Sequence, residues 1–210
     1  MAVALKSVSK LLNRNKVYHN VIGNNIVTRR ARVFIPRIRG IEIAYLCGVI
    51  TGDGSIKMCP RKRGGFHYKI QITSDTEEYL RKLDDIFFYL FNNRGYLSKD
   101  KRKNAFNLVF SNAAIFWYFV SIGLPIGKKG ELTVPIQFKQ KKYFFHFLKG
   151  LVETDGSIKG HMVQLKQKSK KLLIQITKLL KKYSVNYNPP KVNYTNGKPF
   201  YYIRFDTIVP

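Results

Sequence analysis

The segment Tyr45–Lys57, with the sequence YLCGVITGDGSIK, decides the fold because a close copy of it recurs later in the chain. The copy is Phe147–Lys159, FLKGLVETDGSIK, and seven of the thirteen positions are identical. An internal repeat of this kind indicates that one structural unit has been duplicated. The sequence therefore predicts two similar halves, each containing this motif once.

Each motif is followed by the pattern of a strand and then a helix. Apolar and polar residues alternate over 66–73, and MVQLKQK, residues 162–168, is the corresponding strand of the second half. Ser74 and Ser169 stand where a helix N-cap is expected, ahead of apolar residues at helical spacing. Further strands are expected near 95–100, 104–110, 191–195 and 200–206, with another helix over 112–122 ended by Gly123.

This order of elements predicts an α+β protein with two antiparallel sheets. The expected boundaries are a basic N-terminal arm over residues 1–40, a first half over 41–143 and a shorter second half over 144–210. The arm contains nine Lys or Arg residues and no acidic residue. Such an arm either lies along phosphates or is a disordered leader, and the sequence leaves both alternatives open.

Charge is the strongest signal in the composition. The 210 residues include 38 Lys or Arg and 12 Asp or Glu, which gives a formal net charge of +26. Because such an excess repels itself, it indicates a polyanionic partner, and nucleic acid is the first candidate. A membrane surface is a weaker candidate, since the cations do not form one amphipathic helix and no apolar run is long enough to cross a bilayer.

Two other compositional features exclude classes of protein. The two cysteines, Cys47 and Cys59, lack zinc-ligand spacing, so a zinc finger and a disulfide scaffold are not expected. The N-terminus lacks the apolar stretch of a secretory signal, so we expect an intracellular, soluble protein, in a nucleoid or an organelle according to the host.

The repeated motif has small residues at helical spacing. Gly48 and Gly52 are four residues apart in the first copy, and Gly150 and Thr154 occupy the same places in the second. Small residues at this spacing share one helical face and let two helices approach closely. We therefore expect the two motif helices to pack on each other, with their C-terminal ends together.

That packing predicts that Asp53 and Asp155, at the ends of the motif helices, lie close together. Two carboxylates at helix C-termini repel each other and face the negative ends of the helix dipoles, so the pair needs a cation. Mg²⁺ prefers such oxygen ligands and supports phosphodiester cleavage. The alternative is that each Asp-Gly is only a turn. Its recurrence after the same apolar pattern, in a chain with 12 acidic residues, favours the metal.

The two segments resemble the LAGLIDADG motif of homing endonucleases. The matching residues are Leu46, Gly48, Ile50, Asp53 and Gly54 in the first copy and Leu148, Gly150, Leu151, Asp155 and Gly156 in the second. The resemblance covers about residues 41–210. It implies a pseudo-twofold pair of αββαββα-like halves in one chain, in which two antiparallel sheets form a DNA-binding saddle around two central motif helices.

The resemblance also implies an activity and a cofactor. It implies a site-specific endonuclease that uses Mg²⁺ (or Mn²⁺) to cut both strands of a long asymmetric site across the minor groove, leaving staggered ends. The last acid of each motif, Asp53 or Asp155, is the implied metal ligand, and the carbonyls of Gly52 and Thr154 are additional ligands.

Other positions around the metal are also implied by the resemblance. The segment Gly123–Gly130 resembles the one that supplies an active-site lysine, with Lys128 as the first choice and Lys129 as the second. Gln167 holds a position that often carries an active-site glutamine, whereas Ser74 stands there in the first half. In the second half, Lys159 is the candidate for the corresponding active-site lysine. Within the motif, Glu153 is expected to pair with a basic neighbour.

The polar faces of the strands are the predicted DNA contacts, because a two-stranded ribbon fits the major groove. Most of the lysines are expected to contact phosphates and not bases. The candidates are His67, Lys69, Gln71, Thr73, Lys99, Lys101, Lys103, Lys159, Lys166, Lys191, Asn193, Tyr202 and Arg204.

The sequence leaves two further functions open. One is an RNA maturase that assists intron splicing on the same fold, and the other is a DNA-binding protein that does not cleave. The presence of both motif acids favours the endonuclease. Double-stranded DNA is thus the expected partner, intron RNA is a second candidate, and the chain is expected to act as a monomer.

Overall fold

The computed structural model of the protein describes residues 3–28, 31–62, 64–100, 103–195 and 197–207. The chain divides into two compact units. The first consists of Met1–Gly40 and Asp53–Gly127, and the second of Ile41–Gly52 and Lys128–Pro210. Both contain helices and antiparallel strands, so the α+β class predicted from the repeat is confirmed.

The described residues form six α-helices and eleven strands. The helices are α1 (Val3–Arg14), α2 (Ile41–Gly52), α3 (Glu77–Phe91), α4 (Ala113–Ile122), α5 (Lys141–Asp155) and α6 (Lys170–Lys182). The strands are β1 (Asn20–Ile22), β2 (Asn25–Val27), β3 (Arg32–Phe34), β4 (Gly54–Pro60), β5 (Phe66–Ser74), β6 (Tyr96–Asp100), β7 (Ala105–Phe110), β8 (Gly156–Lys159), β9 (Met162–Gln167), β10 (Tyr187–Thr195) and β11 (Lys198–Asp206). None of these helices is long and apolar enough to cross a membrane.

The first unit is built on a four-stranded antiparallel sheet with the order β4-β5-β7-β6. One face of this sheet is covered by α3 and α4. Phe87 of α3 stacks on Phe110 of β7 with ring centroids 4.0 Å apart, and Tyr68 of β5 meets Phe116 of α4 edge-on. The predicted alternation along β5 is confirmed, because Tyr68, Ile70 and Ile72 are buried on this face.

The first unit also contains the described residues of the N-terminal region. Helix α1 packs on α4 with Leu5, Val8 and Leu12 fully buried. Strands β1, β2 and β3 form a separate antiparallel sheet, in which Ile26 and Val33 are buried. Sequence periodicity does not predict this sheet, because strands of three residues are too short to show an alternating pattern.

The second unit is built on an antiparallel sheet with the order β10-β11-β9-β8, against which α6 packs. Helix α2 belongs to this unit because it lies along α5. The predicted cap at Ser169 is confirmed, since its Oγ accepts a hydrogen bond from the Leu172 nitrogen at 3.3 Å. The same Oγ also accepts one from the Leu132 nitrogen at 2.9 Å and so anchors the preceding loop.

The predicted helix cap at Ser74 is wrong. Ser74 is the last residue of β5, and α3 begins at Glu77 after Thr76, which makes no side-chain capping bond. The Ser74 hydroxyl instead accepts a hydrogen bond from the Thr76 nitrogen at 3.1 Å. A serine bonded to a backbone nitrogen two residues on stabilises a turn, and here it joins the strand to the helix.

Candidate functional site

The motif helices α2 and α5 pack through their glycines. A methyl group on Gly48 would overlap the Phe147 carbonyl oxygen and lie 2.8 Å from the Leu151 nitrogen, so there is room only for hydrogen. Gly150 makes the reciprocal contact with the carbonyl oxygen of Tyr45. The close helix contact predicted from the small residues is therefore confirmed within the second unit.

The last turn of α2 lies against the last turn of α5. A methyl group on Gly52 would overlap the Thr154 side chain and lie 3.0 Å from Asp155 Oδ2. The Thr154 hydroxyl bonds back into its own helix, 3.2 Å from the Gly150 oxygen and 3.0 Å from the Leu151 oxygen. The Gly52 backbone and the Asp155 carboxylate are thus neighbours, and Asp53, which is exposed, is the next residue after Gly52 in the chain.

Asp155 is a half-buried carboxyl held by a buried glutamine. Gln167, on the inner face of β9, donates a hydrogen bond from Nε2 to Asp155 Oδ2 at 2.5 Å. Burial raises the pKa of Asp155 from its ordinary value, although the Gln167 bond and the charges of Lys129 and Lys168 act in the opposite direction. A carboxyl whose charge is costly in its surroundings is typical of a functional site that receives a cation or a proton.

Lys129 contacts the end of α2. Its Nζ donates a hydrogen bond to the carbonyl oxygen of Thr51 at 2.8 Å and a second one to that of Gly52. The last carbonyls of a helix lack intrahelical donors and carry the negative end of the dipole, which explains why they attract an ammonium group. Both lysines of this segment are exposed. The hydrogen bonds to the motif helix are made by the second choice, Lys129.

The expected pairing of Glu153 with a basic neighbour is not found among the described residues. Its carboxylate accepts a hydrogen bond from the Tyr45 hydroxyl at 2.5 Å, and Tyr45 belongs to α2. The bond therefore joins the two motif helices through side chains, beside the backbone contacts of the glycines.

The donors gathered at these helix ends are suited to a divalent cation. The Asp155 carboxylate and the Gly52 carbonyl are hard oxygen ligands. The carbonyl oxygen accepts a hydrogen bond from the positively charged Lys129 ammonium group. No group of three or more His, Cys, Asp or Glu side chains lies close enough to hold a metal among the described residues. The oxygens of Asp155 and Gly52 fit Mg²⁺, which binds through one or two carboxylates and completes its shell with water and phosphate.

Four of the predicted DNA-contacting residues of the first unit share one face of its sheet. His67, Lys69, Gln71 and Thr73 alternate with the buried residues of β5 and so lie opposite α3 and α4. Gln71 Nε2 and Thr73 Oγ1 both donate to Asn107 Oδ1, at 2.7 and 2.8 Å. Asn107 was missed in the sequence, where its place opposite Thr73 depends on the pairing of β5 with β7.

The other candidates of the first unit do not share that face. Lys99 pairs with Phe106, whose neighbours Leu108 and Phe110 point to the helices, and its Nζ lies 5.3 Å from the Phe106 ring centroid. Lys99 is therefore on the helical side of the sheet. Lys103 is exposed in the turn between β6 and β7, and Lys101 lies outside the described residues.

The candidates of the second unit share the face of its sheet that points away from the buried residues of β9 and β11. The strand register places Lys159, Lys166, Lys191, Asn193, Tyr202 and Arg204 there. Arg204 Nε donates to Gln164 Oε1 at 2.9 Å, and its guanidinium carbon lies 5.8 Å from the Tyr202 ring centroid. Gln164 was missed in the sequence, and its alternation with buried Val163 and Leu165 is the signal that would have identified it.

Comparison with known proteins agrees with this fold. Residues 143–207 match the family model described as a LAGLIDADG-like domain. No curated protein sequence matches the chain. Among solved structures, mesophilic variants of the homing endonuclease I-DmoI match with a TM-score of 0.64 and 19% identity over 79% of this chain and 88% of theirs. I-DmoI in complex with DNA and Ca matches with a TM-score of 0.63 and 20% identity over 79% of this chain and 82% of its own.

A second kind of protein shares the architecture. The N-terminal LAGLIDADG domain of DUF199/WhiA matches with a TM-score of 0.51 and 16% identity over 80% of this chain and 75% of that one. At these identities the likeness concerns the fold. The resemblance inferred from the repeated motifs is confirmed: the chain has the fold of the homing endonuclease I-DmoI, and its residues 143–207 match the model of a LAGLIDADG-like domain.

Proposed function

We propose that this protein is a divalent-metal-dependent endonuclease that cuts both strands of a long, asymmetric DNA site and leaves staggered ends. The observation that carries the proposal is the half-buried Asp155 carboxyl, bonded to Gln167 and packed against Gly52 at the end of the partner motif helix. The carboxylate does not stabilise the helix, because a negative charge at a helix C-terminus interacts unfavourably with the helix dipole.

Asp53 and Asp155 are the proposed metal ligands, one from each copy of the motif. The carbonyls of Gly52 and Thr154 are proposed to complete the protein's share of the ligands. When bound, Mg²⁺ or Mn²⁺ would supply the activation of water and the neutralisation of phosphate charge that hydrolysis requires. Support comes from the contact of Gly52 with Asp155 and from the position of Asp53 directly after Gly52.

Two side chains have proposed supporting roles. Gln167 fixes one oxygen of the Asp155 carboxylate through its 2.5 Å bond, which orients the other oxygen. Lys129 places a positive charge at the end of α2, where it would attract the scissile phosphate and stabilise its developing charge. Lys128 and Lys159 are exposed and are better suited to contacts with the DNA backbone.

The outer faces of the two four-stranded sheets are the proposed DNA-binding surfaces. Gln71 and Thr73 are held in place by Asn107, so they are preorganised to meet base edges. Arg204, oriented by Gln164, is the corresponding group in the second unit. The net charge of +26 supports a long duplex as the substrate. Structures of I-DmoI in complex with DNA and Ca and with DNA and Mn are consistent with this substrate and cofactor.

We propose that the enzyme acts inside the cell as a monomer, because each copy of the motif supplies one acid within a single chain. An intron that carries the gene would mark its target, since the insertion point of such an element coincides with the cleavage site of a homing enzyme. The genomic flanks of the gene therefore indicate which sequence to test first.

The test compares Asp53→Asn and Asp155→Asn with the unchanged protein. A cleavable site is first selected from the genomic flanks or from a randomised library with Mg²⁺. Both variants should bind the selected duplex as tightly as the wild type in a gel-shift assay and should fail to cut it. Asp75→Asn, which removes an exposed carboxylate in the turn after β5, is the matched control and should cut normally.

Two outcomes would contradict the proposal. Cutting by either motif variant would show that the pair of acids does not hold the reactive centre. Tight binding of a selected duplex by the wild type, with no cutting in Mg²⁺ or Mn²⁺, would identify a DNA-binding protein without nuclease activity.

A further inference from the structure

Five exposed lysines gather where the start of α5 meets the end of α6. They form the lysine patch, which consists of Lys141, Lys142, Lys178, Lys181 and Lys182. The two helix ends are joined by Tyr183, whose hydroxyl donates a hydrogen bond to the carbonyl oxygen of Lys139. The ring centroids of Tyr183 and Phe145 are also 5.8 Å apart, and Phe145 lies one turn along α5 from Lys141. No part of the proposed function uses this patch.

The acidic residues of the second unit do not neutralise the lysine patch. Those acids are Glu42, Glu131, Glu153, Asp155 and Asp206. Glu131 pairs with Lys171, and the last three accept hydrogen bonds from uncharged side chains. Glu42, at the start of α2, acts electrostatically on His146 of α5. Within the described part of the chain, no ion pair includes a lysine of the patch, so its charge is available to an anionic partner.

Two of these lysines lie where a helix disfavours them. Lys141 and Lys142 are in the first turn of α5, at the positive end of the helix dipole, and that turn contains no acid. Lys181 and Lys182 are in the last turn of α6, at the negative end of its dipole, which is favourable. The stability of the helices therefore explains the lysines of α6 and not those of α5, whereas a polyanion in contact with both helix ends would stabilise all of them.

The lysine patch and the candidate metal site lie at opposite ends of the second unit. Helix α5 begins at Lys141 and ends at Asp155, and the usual helical rise separates these ends by about 21 Å. Helix α6 runs back in the other direction, since it starts just after Gln167, which bonds Asp155, and ends at the patch. Both helices pack on the β10-β11-β9-β8 sheet, whose other face carries Arg204. A duplex on that other face therefore leaves the patch free.

We propose that the lysine patch binds the phosphates of a second DNA duplex while the first lies on the outer sheet faces, so that the protein passes directly from one DNA segment to another. Binding at the patch rests on the proposed binding of duplex DNA but not on its cleavage. Ammonium groups on flexible side chains contact phosphates in many geometries, so this surface reads no sequence.

A second duplex fits the lysine patch better than a lipid surface does. A protein bound to long DNA has other segments of the same molecule at high local concentration. A helix that binds a membrane also inserts apolar side chains, whereas the rings beneath the patch, Phe145 and Tyr183, pack against each other.

The experiment measures how fast a short fluorescent duplex leaves the full chain in EDTA, where nothing is cut, as unlabelled duplex of unrelated sequence is added. If the second duplex binds before the first departs, the dissociation rate rises linearly with the concentration of unlabelled duplex. Without such an intermediate, the rate is that of spontaneous dissociation and does not depend on this concentration. The slope of the rate against concentration therefore measures binding at the patch.

The double variant Lys141→Gln with Lys182→Gln should reduce this slope by about ten-fold or more, since each lost phosphate contact lowers affinity by roughly eight-fold near 0.1 M salt. The rate without competitor should change by less than about two-fold, because the outer sheet faces are untouched. The matched control is Lys82→Gln with Lys171→Gln, which removes the same charge from exposed lysines that pair with Glu78 and Glu131. It should keep the wild-type slope, as should Lys141→Arg with Lys182→Arg.

Three results would overturn the inference. One is a wild-type protein that binds the labelled duplex but releases it at a rate independent of competitor. Another is an equal loss of slope in the patch variant and the charge-matched control, which would mean that net charge alone sets the rate. The third is an unchanged slope in the patch variant with loss of binding to anionic lipid vesicles, which would identify a membrane-binding surface.

The proposed nuclease activity and binding at the lysine patch fail in different ways. Asp155→Asn should show the wild-type slope, because the carboxylate lies at the other end of α5. A wild-type protein that transfers between duplexes without cutting in Mg²⁺ or Mn²⁺ would contradict the nuclease and support the patch. Cutting with a rate of release independent of competitor would do the reverse.

Discussion

The Asp155 carboxyl is expected to make stability depend on pH. Burial raises its pKa in the folded protein, so the folded state holds the proton more tightly than the unfolded chain. The contribution of Asp155 to the free energy of unfolding is complete at a pH below its ordinary pKa. This contribution is lost as the pH rises through the raised pKa of the folded protein. In EDTA, the melting temperature of the wild type should therefore fall relative to that of Asp155→Asn as pH increases from 3 to 7.

The comparison of these two proteins isolates one residue, because all other titrating groups are common to both. Addition of Mg²⁺ at pH 7 should raise the melting temperature of the wild type more than that of the variant, since an ion that binds only the folded state stabilises it. Parallel melting curves across the pH range would contradict the role assigned to burial at Asp155.

Some candidate site residues can be predicted from the sequence, and others cannot. The two acids were predicted because they recur in a repeated pattern that needs no knowledge of tertiary contacts. The choice between Lys128 and Lys129 was not predictable, because both lie in a loop whose direction is set by the carbonyls at the end of α2. The side of the sheet to which Lys99 points depends on its pairing with Phe106, and only the strand register reveals that.

We expect that no side chain larger than hydrogen is tolerated at Gly48, where the two motif helices cross. Gly48→Ala would put a methyl group into the carbonyl oxygen of Phe147, and backbone atoms cannot rotate away as a long side chain does. We expect a loss of about 1–3 kcal/mol or more in the free energy of unfolding in urea. Gly130→Ala, where nothing lies within 4 Å of the added methyl group, should stay within about 0.5 kcal/mol of the wild type. Equal effects of the two changes would refute the close contact.

The start of α6 depends on one hydroxyl group. Ser169 is buried and bonds the Leu172 and Leu132 nitrogens, so Ser169→Ala removes a cap and leaves a second donor unsatisfied. The expected loss is about 1–3 kcal/mol in the free energy of unfolding. Thr76→Ala is the control, because Thr76 precedes α3 without a side-chain capping bond, and its effect should be smaller. A loss at Thr76 equal to that at Ser169 would show that capping does not explain the difference.

The elements differ in how well their sequences predict them. Strands β5 and β9 and helix α4 were found because alternation and capping extend over six or more residues. The β1-β2-β3 sheet was missed because each strand has three residues, and its register is set by Ile26 and Val33 packing beneath it. Local pattern thus predicts long elements, whereas short ones are defined by tertiary packing.

Binding of duplex DNA is a property of the whole molecule, since many phosphate contacts add to the affinity. With a net charge of +26, the logarithm of the duplex association constant should fall steeply and linearly with the logarithm of salt concentration. Lys69 and Lys99 form a matched pair of strand lysines, one on the outer face of the first unit's sheet and one on its helical side. Lys69→Gln should reduce the salt slope by about one and weaken all duplexes alike.

The same titration of Lys99→Gln should give the slope of the wild type, because that ammonium group lies over the Phe106 ring and away from the proposed DNA surface. Gln71→Ala should keep the wild-type slope as well but alter the preferred base at one position, since a neutral amide reads base edges and releases no counterion. Equal slopes for the Lys69 and Lys99 variants would mean that DNA does not lie on the outer face of this sheet, whatever the fate of the catalytic assignments.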